Sequence, residues 1–211
     1  MDNGRRGAIR LYDRETSGNA YKVRLLLSFL KVPFESVPVR LKNGRNEIDE
    51  AYLRLNPRGQ IPTLQDGLTV LWGSTAILVY LALRYDPTRQ WLPASASAVA
   101  EVMQWLELAQ NEISTGLFKA RAILRFNYDG NLVLAQSEGR RALTILERTL
   151  AQHAWLTGNS PTIADIACFP YVALAHEGRL DIEPYEAIGR WQSRFKSLDG
   201  FIAMPGIEAA S

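Results

Sequence analysis

The apolar positions of the first 85 residues change period several times, and each change marks an element. Residues 8–12 (AIRLY) form a short apolar run interrupted by Arg10, a strand pattern, and a polar loop follows over 13–18. From Asn19 the period lengthens. Val23, Leu26, Leu27 and Leu30 recur at i, i+3, i+4 and i+7, the stripe of an amphipathic helix, and Pro33 stops it. Residues 34–39 alternate and predict a second strand, parallel to the first through the helical crossover. A loop over 42–45 surrounds Asn43-Gly44, and a short helix over 48–55 leads into the most punctuated stretch of the chain, 56–74 (NPRGQIPTLQDGLTVLWGS). Asn56, Pro57 and Gly59 mark turns there. Two short strand-like stretches, one with Ile61, Thr63 and Leu64, the other with Leu68, Val70 and Leu71, flank the hairpin dipeptide Asp66-Gly67. Gly73-Ser74 precede a helical run with Ala76, Ile77, Tyr80 and Leu81 that ends at Tyr85. The sum is a small mixed sheet with helices on its faces.

Asp86-Pro87 opens a linker that runs to about residue 96 and marks a domain boundary. No strand pattern appears beyond it. Val99, Val102, Met103, Leu106, Ile113, Leu117, Ala120 and Leu124 predict one long helix, closed by a turn at 127–131. Leu132, Ala135, Gly139, Ala142, Leu143, Leu146 and Leu150 trace a second. Thr162, with Asp165 three residues on, is a capping-box variant opening a helix towards Ala175 that Pro170 bends. A last helix covers 185–198, and the tail after Gly200 reads as irregular. The expected organisation is an α/β domain over 8–86 and an all-helical domain over 96–205.

Composition then removes several function classes. Of 211 residues, 47% are hydrophobic and 22% charged, an ordinary globular balance. A net charge of +2, dispersed along the chain, argues against nucleic acid. No apolar run approaches the roughly 18 residues that cross a bilayer. Nor does an apolar stretch follow Arg5-Arg6 as a secretory signal requires. The one cysteine, Cys168, excludes an internal disulfide and fits a reducing compartment, so a cytoplasmic enzyme is expected. Cys168 itself reads as a small buried hydrophobe. The two histidines, His153 and His176, lack ligand spacing, and no metal site is expected.

Candidate chemistry gathers in two places. The loop Ser17-Gly18-Asn19 lies between the first strand and the first helix, where ligands collect in sheets with parallel strands. It abuts a helix N-terminus, whose partial positive charge favours a thiolate. Both Ser17 and Asn19 are also ordinary capping residues. In the hairpin stretch, Pro62 is a candidate cis peptide that turns the Ile61 backbone outward, and Ser74 at a helix start suits a carboxylate. The plain alternative is an edge strand and a cap. Trp105, Phe118, Phe126 and Tyr128 either line an apolar pocket or pack the core. Arg121 and Arg125, four apart on one helix face, meet an anionic substrate or form a solvated edge.

Ser17-Gly18-Asn19, Ile61-Pro62, Ser74 with Ala76-Ile77, and Thr162 to Asp165, in this order of elements, resemble the glutathione transferases over about residues 9–198. The resemblance implies a thioredoxin-like α/β N-terminal domain followed by an all-α domain, assembled as a homodimer. Glutathione is then the co-substrate, and a hydrophobic electrophile the second. The tripeptide lies along Ile61 beside Pro62, with its γ-glutamyl end at Gly73-Ser74 and its sulfur by Ser17 and Asn19. By position Ser17 matches the loop cysteine of bacterial beta-class enzymes, and Asn19 the amide of a related bacterial class. Lys42 is matched to the basic residue near the glycine carboxylate, or is a solvated lysine, and Gln60 reaches the ligand or closes its turn. Gly73 departs from the family's acidic or amide residue. It keeps open the reading of a binding module that does no conjugation, and a glutathione-dependent disulfide reductase is a third possibility.

Overall fold

The computed structural model describes residues 8–39, 41–42, 45–46 and 50–209, the main chain alone at 41–42 and 45–46. Strand β1 (Ile9–Asp13) lies at the centre of a four-stranded sheet and buries Ile9, Leu11 and Asp13 on one face. Helix α1 (Gly18–Phe29) returns the chain to β2 (Phe34–Pro38), which pairs parallel with β1, Ile9 opposite Phe34. The helix stops before Pro33 acts: Leu30 caps it and Lys31 takes φ 53°, so Leu30 ends the expected stripe rather than extending it. Two-residue strands β3 (Leu41–Lys42) and β4 (Arg45–Asn46) pair where a plain loop was expected. Helix α2 (Glu50–Leu55) covers the described part of the next expected helix.

The hairpin consists of β5 (Thr63–Asp66) and β6 (Thr69–Trp72), and the sheet order is β2-β1-β5-β6. Ile61 and Pro62 precede β5 instead of belonging to it, and the bond between them is cis. Leu68 stands exposed in the turn, because Asp66-Gly67-Leu68-Thr69 uses both central residues to reverse the chain. Helix α3 (Ser74–Tyr85) follows at once.

The linker is packed. Asp86 is buried and accepts from the Trp91 N–H at 2.8 Å, while the Trp91 ring stacks on Phe29 at 4.9 Å. The long helix expected after it is interrupted. It runs as α4 (Ala96–Gln110), breaks at Asn111, passes through a π turn (Ser114–Phe118) and resumes as α5 (Lys119–Phe126). A π turn inserts a residue without changing the apolar pattern on either side, so periodicity does not register it. At this turn the chain presses on α6 (Leu132–Leu150): a Cβ on Gly116 would lie 2.3 Å from the Gly139 nitrogen.

Helix α7 (Ile163–Ala173) is buried along its length and packs against α1, α3 and α4. Its capping box forms as expected, Thr162 N–H donating to Asp165 Oδ2 at 2.9 Å. Asp165 also accepts from the Leu156 N–H (3.1 Å) and Trp191 Nε1 (2.9 Å), which ties α8 (Glu186–Lys196) to the same carboxylate. Helix α7 ends at Ala173, and a short 3-10 turn (Ala175–Gly178) replaces its expected last residues. One contiguous apolar cluster reaches from Ile9 to Ile207 through both halves. Among the described residues no helix is long and apolar enough to cross a membrane.

Candidate active site

The β1–α1 loop, the turn before β5 and the start of α3 meet at one end of the sheet. Residues of α4, the π turn, α5 and α7 face them across a cleft of ≈ 520 Å³. Ser17, Asn19, Gln60, Ile61, Pro62, Gly73 and Ser74 all line it. Lys42 lies in β3, and its side chain is outside the described residues.

Ser17 caps α1: its backbone is extended and its Oγ accepts from the Ala20 N–H at 3.2 Å. Accepting uses a lone pair and leaves the hydroxyl hydrogen to donate elsewhere. Asn19, in the first turn, receives Lys22 Nζ on Oδ1 at 2.9 Å, and Ser74 Oγ approaches the same oxygen at 3.5 Å. An ammonium only donates, so the atom facing it is the oxygen, and the Asn19 amide N–H groups are directed away from it. They have no partner among the described residues.

Lys22 was not anticipated. It is fully buried, no carboxylate pairs with it among the described residues, and its Nζ lies 5.0 Å from the centre of the Tyr171 ring. Burial lowers its pKa from 10.5 to about 8, so it stays largely cationic at neutral pH. The available signal was the Asn19-x-x-Lys22 spacing, which puts amide and amine on one helix face. Beneath it Cys168 is buried, and burial pushes its thiol far up, which fits a packing role. The Tyr171 hydroxyl is likewise pushed up by burial and remains protonated.

The Ile61 segment is held by side chains that sequence reading took for ordinary turn and helix residues. The Gln60 carbonyl accepts from Tyr52 Oη (2.7 Å) and Asn56 Nδ2 (2.5 Å). Both groups also meet Thr63 Oγ1, at 2.9 and 3.0 Å. Because the carbonyl takes the tyrosine hydrogen, Thr63 must donate to Tyr52 and accept from Asn56, a closed network. Between its anchors, neither the N–H nor the C=O of Ile61 has a hydrogen-bond partner among the described residues. The Gln60 side chain is exposed.

Gly73 has φ +87°, and a Cβ there would meet nothing within 4 Å. The backbone, not crowding, accounts for glycine at this position. Among the described residues no side chain caps α3, and none meets the first N–H groups of this helix beside the buried Ser74.

At the other end stand Phe118, Phe126, Tyr128 and Tyr171, with Phe118 and Tyr171 ring centres 5.2 Å apart. Trp105 does not line the cleft; its carbonyl accepts from Cys168 Sγ at 3.8 Å. Arg121 is not a solvated edge. It is 2% exposed, with Nε on Glu177 at 2.6 Å and Nη1 on the Thr16 carbonyl at 3.1 Å. Arg125 is mostly exposed, as an edge residue would be. Among the described residues, no group of three or more His, Cys, Asp or Glu is placed to hold a metal. A cleft lined by donors and, among the described residues, by no carboxylate suits an anionic ligand with an extended backbone.

Comparison with known proteins places this geometry in a family. Residues 7–83 match the model of the glutathione S-transferase N-terminal domain, and residues 89–203 match that of the C-terminal domain. Glutathione S-transferase GstB of Escherichia coli strain K12 is 31% identical over 193 residues, covering 87% of this chain and 90% of that protein. The disulfide-bond oxidoreductase YfcG of the same strain is 28% identical over 85% of this chain and 86% of that protein. The maleylpyruvate isomerase of a Ralstonia species is also 28% identical, over 92% of this chain and 94% of that protein. A glutathione S-transferase crystal structure from Pseudomonas fluorescens superimposes with a TM-score of 0.87 at 32% identity, covering 94% of this chain and 99% of that one. The mixed sheet is thus the family's thioredoxin-like domain and the helices its all-α domain, and the chain belongs to the glutathione S-transferase family.

Proposed function

We propose that the chain activates the thiol of glutathione for attack on an electrophilic small molecule. The observation that carries this is the donor set at the mouth of α1: the Ser17 hydroxyl hydrogen, the Asn19 amide and the buried Lys22 cation behind it. The tripeptide would pair its backbone with the open N–H and C=O of Ile61 and set its γ-glutamyl carboxylate on the free N–H groups of α3 at Ser74. Its sulfur then lies by Ser17 and Asn19, where donors and the helix N-terminus stabilise the thiolate. The thiolate attacks an electrophilic carbon, a C–S bond forms, and the leaving group departs with the bond's electron pair. Positioning and thiolate stabilisation supply the rate. Lys42 is assigned to the glycine carboxylate and Gln60 to the ligand's edge. We assign the chain to the cytoplasm as a homodimer.

The match to a disulfide-bond oxidoreductase supports a second reading, in which the same thiolate attacks a disulfide sulfur and a thiolate leaves. Turnover of an aryl halide against turnover of a mixed disulfide separates the two. Retention on immobilised glutathione with neither activity supports a binding module, the reading that Gly73 favours. The direct test of thiol activation is ultraviolet titration of bound glutathione. Ser17→Ala and Asn19→Ala should each raise the apparent thiol pKa, by about one unit if a single hydrogen bond is lost. A wild-type value equal to that of free glutathione refutes activation.

A further inference from the structure

Three arginines line the cleft, Arg14, Arg58 and Arg121, and among the described residues no aspartate or glutamate does. Arg58 stands by the hairpin, its guanidinium carbon 5.7 Å from the centre of the Trp72 ring. The other two belong to the opposite end, where their guanidinium carbons lie over the Phe126 ring at 5.3 Å (Arg14) and 5.0 Å (Arg121). Arg121 is held and balanced by Glu177.

Arg14 is neither. Its neighbour Asp13 is bound by Arg24 Nη1 at 2.7 Å, and Arg14 touches that carboxylate only through its own main-chain N–H. The Arg14 guanidinium, partly buried, has no hydrogen bond or ion pair among the described residues. In the same loop Thr16 lines the cleft, with Oγ1 buried and unpartnered. An arginine whose guanidinium is held over an aromatic ring still has N–H donors to offer, and that planar fork matches a carboxylate in bidentate geometry. A pocket for neutral acceptors has no use for such a group, since a partly buried unpaired charge is costly.

We propose that this end of the cleft selects acceptors carrying a carboxylate next to an aromatic or unsaturated electrophilic carbon, and that Arg14 is the group that pairs with the carboxylate. The carboxylate sits on the Arg14 fork, while the apolar part lies against Phe118, Tyr128 and Tyr171. The unpaired Arg14 cation also offsets the repulsion between an anionic acceptor and a thiolate. This rests on the glutathione reading above.

The test compares 4-chloro-3-nitrobenzoate with its methyl ester. In both, sulfur adds at the carbon bearing chlorine, and chloride leaves with the electron pair. Each kcat/KM is divided by the rate of the same compound with free glutathione thiolate. The corrected ratio of acid to ester should be about tenfold or more. Arg14→Gln should lower it about tenfold, and Arg14→Lys should restore part of it. A ratio near one in the wild-type protein, or one that Arg14→Gln leaves unchanged, overturns the inference. Failure of the glutathione reading shows differently, as no ionised bound thiol and no turnover of either compound. Tryptophan fluorescence titration with the two compounds then decides: the acid must bind about tenfold tighter than the ester in the wild type and not in Arg14→Gln.

Discussion

Replacing Lys22 with methionine should make the protein more stable and a worse thiol activator. Folding takes the Lys22 ammonium wholly out of water, and no carboxylate meets it among the described residues. The fall of its pKa from 10.5 to about 8 corresponds to about 3 kcal/mol of penalty on the charged form. Methionine has a similar length and no charge, so most of that penalty disappears. Loss of the 2.9 Å charge-assisted bond to Asn19 Oδ1 returns about 2 kcal/mol of destabilisation. The net expectation at pH 7 is a gain of about 1 kcal/mol. For a chain of 211 residues this raises Tm by roughly 2–4 °C.

The pH dependence has a definite sign. Between about pH 8 and 10.5 the unfolded chain holds the lysine proton and the folded chain releases it, so wild-type stability rises with pH across that window. Below it the penalty is present in full. The advantage of Lys22→Met should therefore be largest at pH 6–7 and be lost within the window from about pH 8 to 10.5. Urea unfolding of both proteins at several pH values measures this. At the same time the Asn19 amide loses its orienting donor and the thiolate a nearby cation, so the apparent thiol pKa of bound glutathione should rise. A variant less stable at pH 7, or a difference that stays constant from pH 6 to 10, would refute the account of Lys22 as a charge kept for function at a cost in stability.

Three more outcomes follow from named contacts. Asp165→Ala leaves the N–H of Leu156, the N–H of Thr162 and Trp191 Nε1 without their acceptor, and should cost about 3–5 kcal/mol by urea unfolding. Asn56→Ala loosens the Gln60 carbonyl and should raise KM for glutathione several-fold with a smaller change in kcat, since it acts on the Ile61 segment and not on the sulfur seat. An unchanged KM separates that segment from ligand binding. Gly73→Ala meets no atoms but must hold φ +87°, so a stability loss of about 1–2 kcal/mol is expected. Wild-type stability in that variant shows that the backbone relaxes.

The hairpin and the parallel crossover were legible because their signals are local. Asp66-Gly67 sets a turn wherever it falls, and the stripe of Val23, Leu26 and Leu27 needs no partner to be seen. The capping box at Thr162 was legible for the same reason, but the third role of Asp165, receiving Trp191, spans 26 positions and was not. Charges fared worst. Arg121 reads either as a substrate contact or as a solvated edge, because its partner Glu177 is 56 positions away, and nothing local marks Lys22, because what buries it includes α7. Asn56 announced a turn, while the carbonyl it grips exists as a target only after the chain has bent. Of the cleft residues the sequence points to, Ser17 and Ser74 sit at helix starts and Ile61-Pro62 in a turn, all features with local signals.

The packed linker bears on how such a protein could be recombined. Ile163 N–H donates to the Trp91 carbonyl at 2.9 Å, and α7 lies against both α1 and α3. Cutting after Tyr85 would keep the whole hairpin edge but strip the cover from two helices. Grafting a foreign helical half to change acceptor preference is therefore not a matter of swapping modules. The incoming counterpart of α7 must match the old surface residue by residue, Tyr171 above all, whose ring carbon would sit 2.7 Å from any Cβ placed at Gly18.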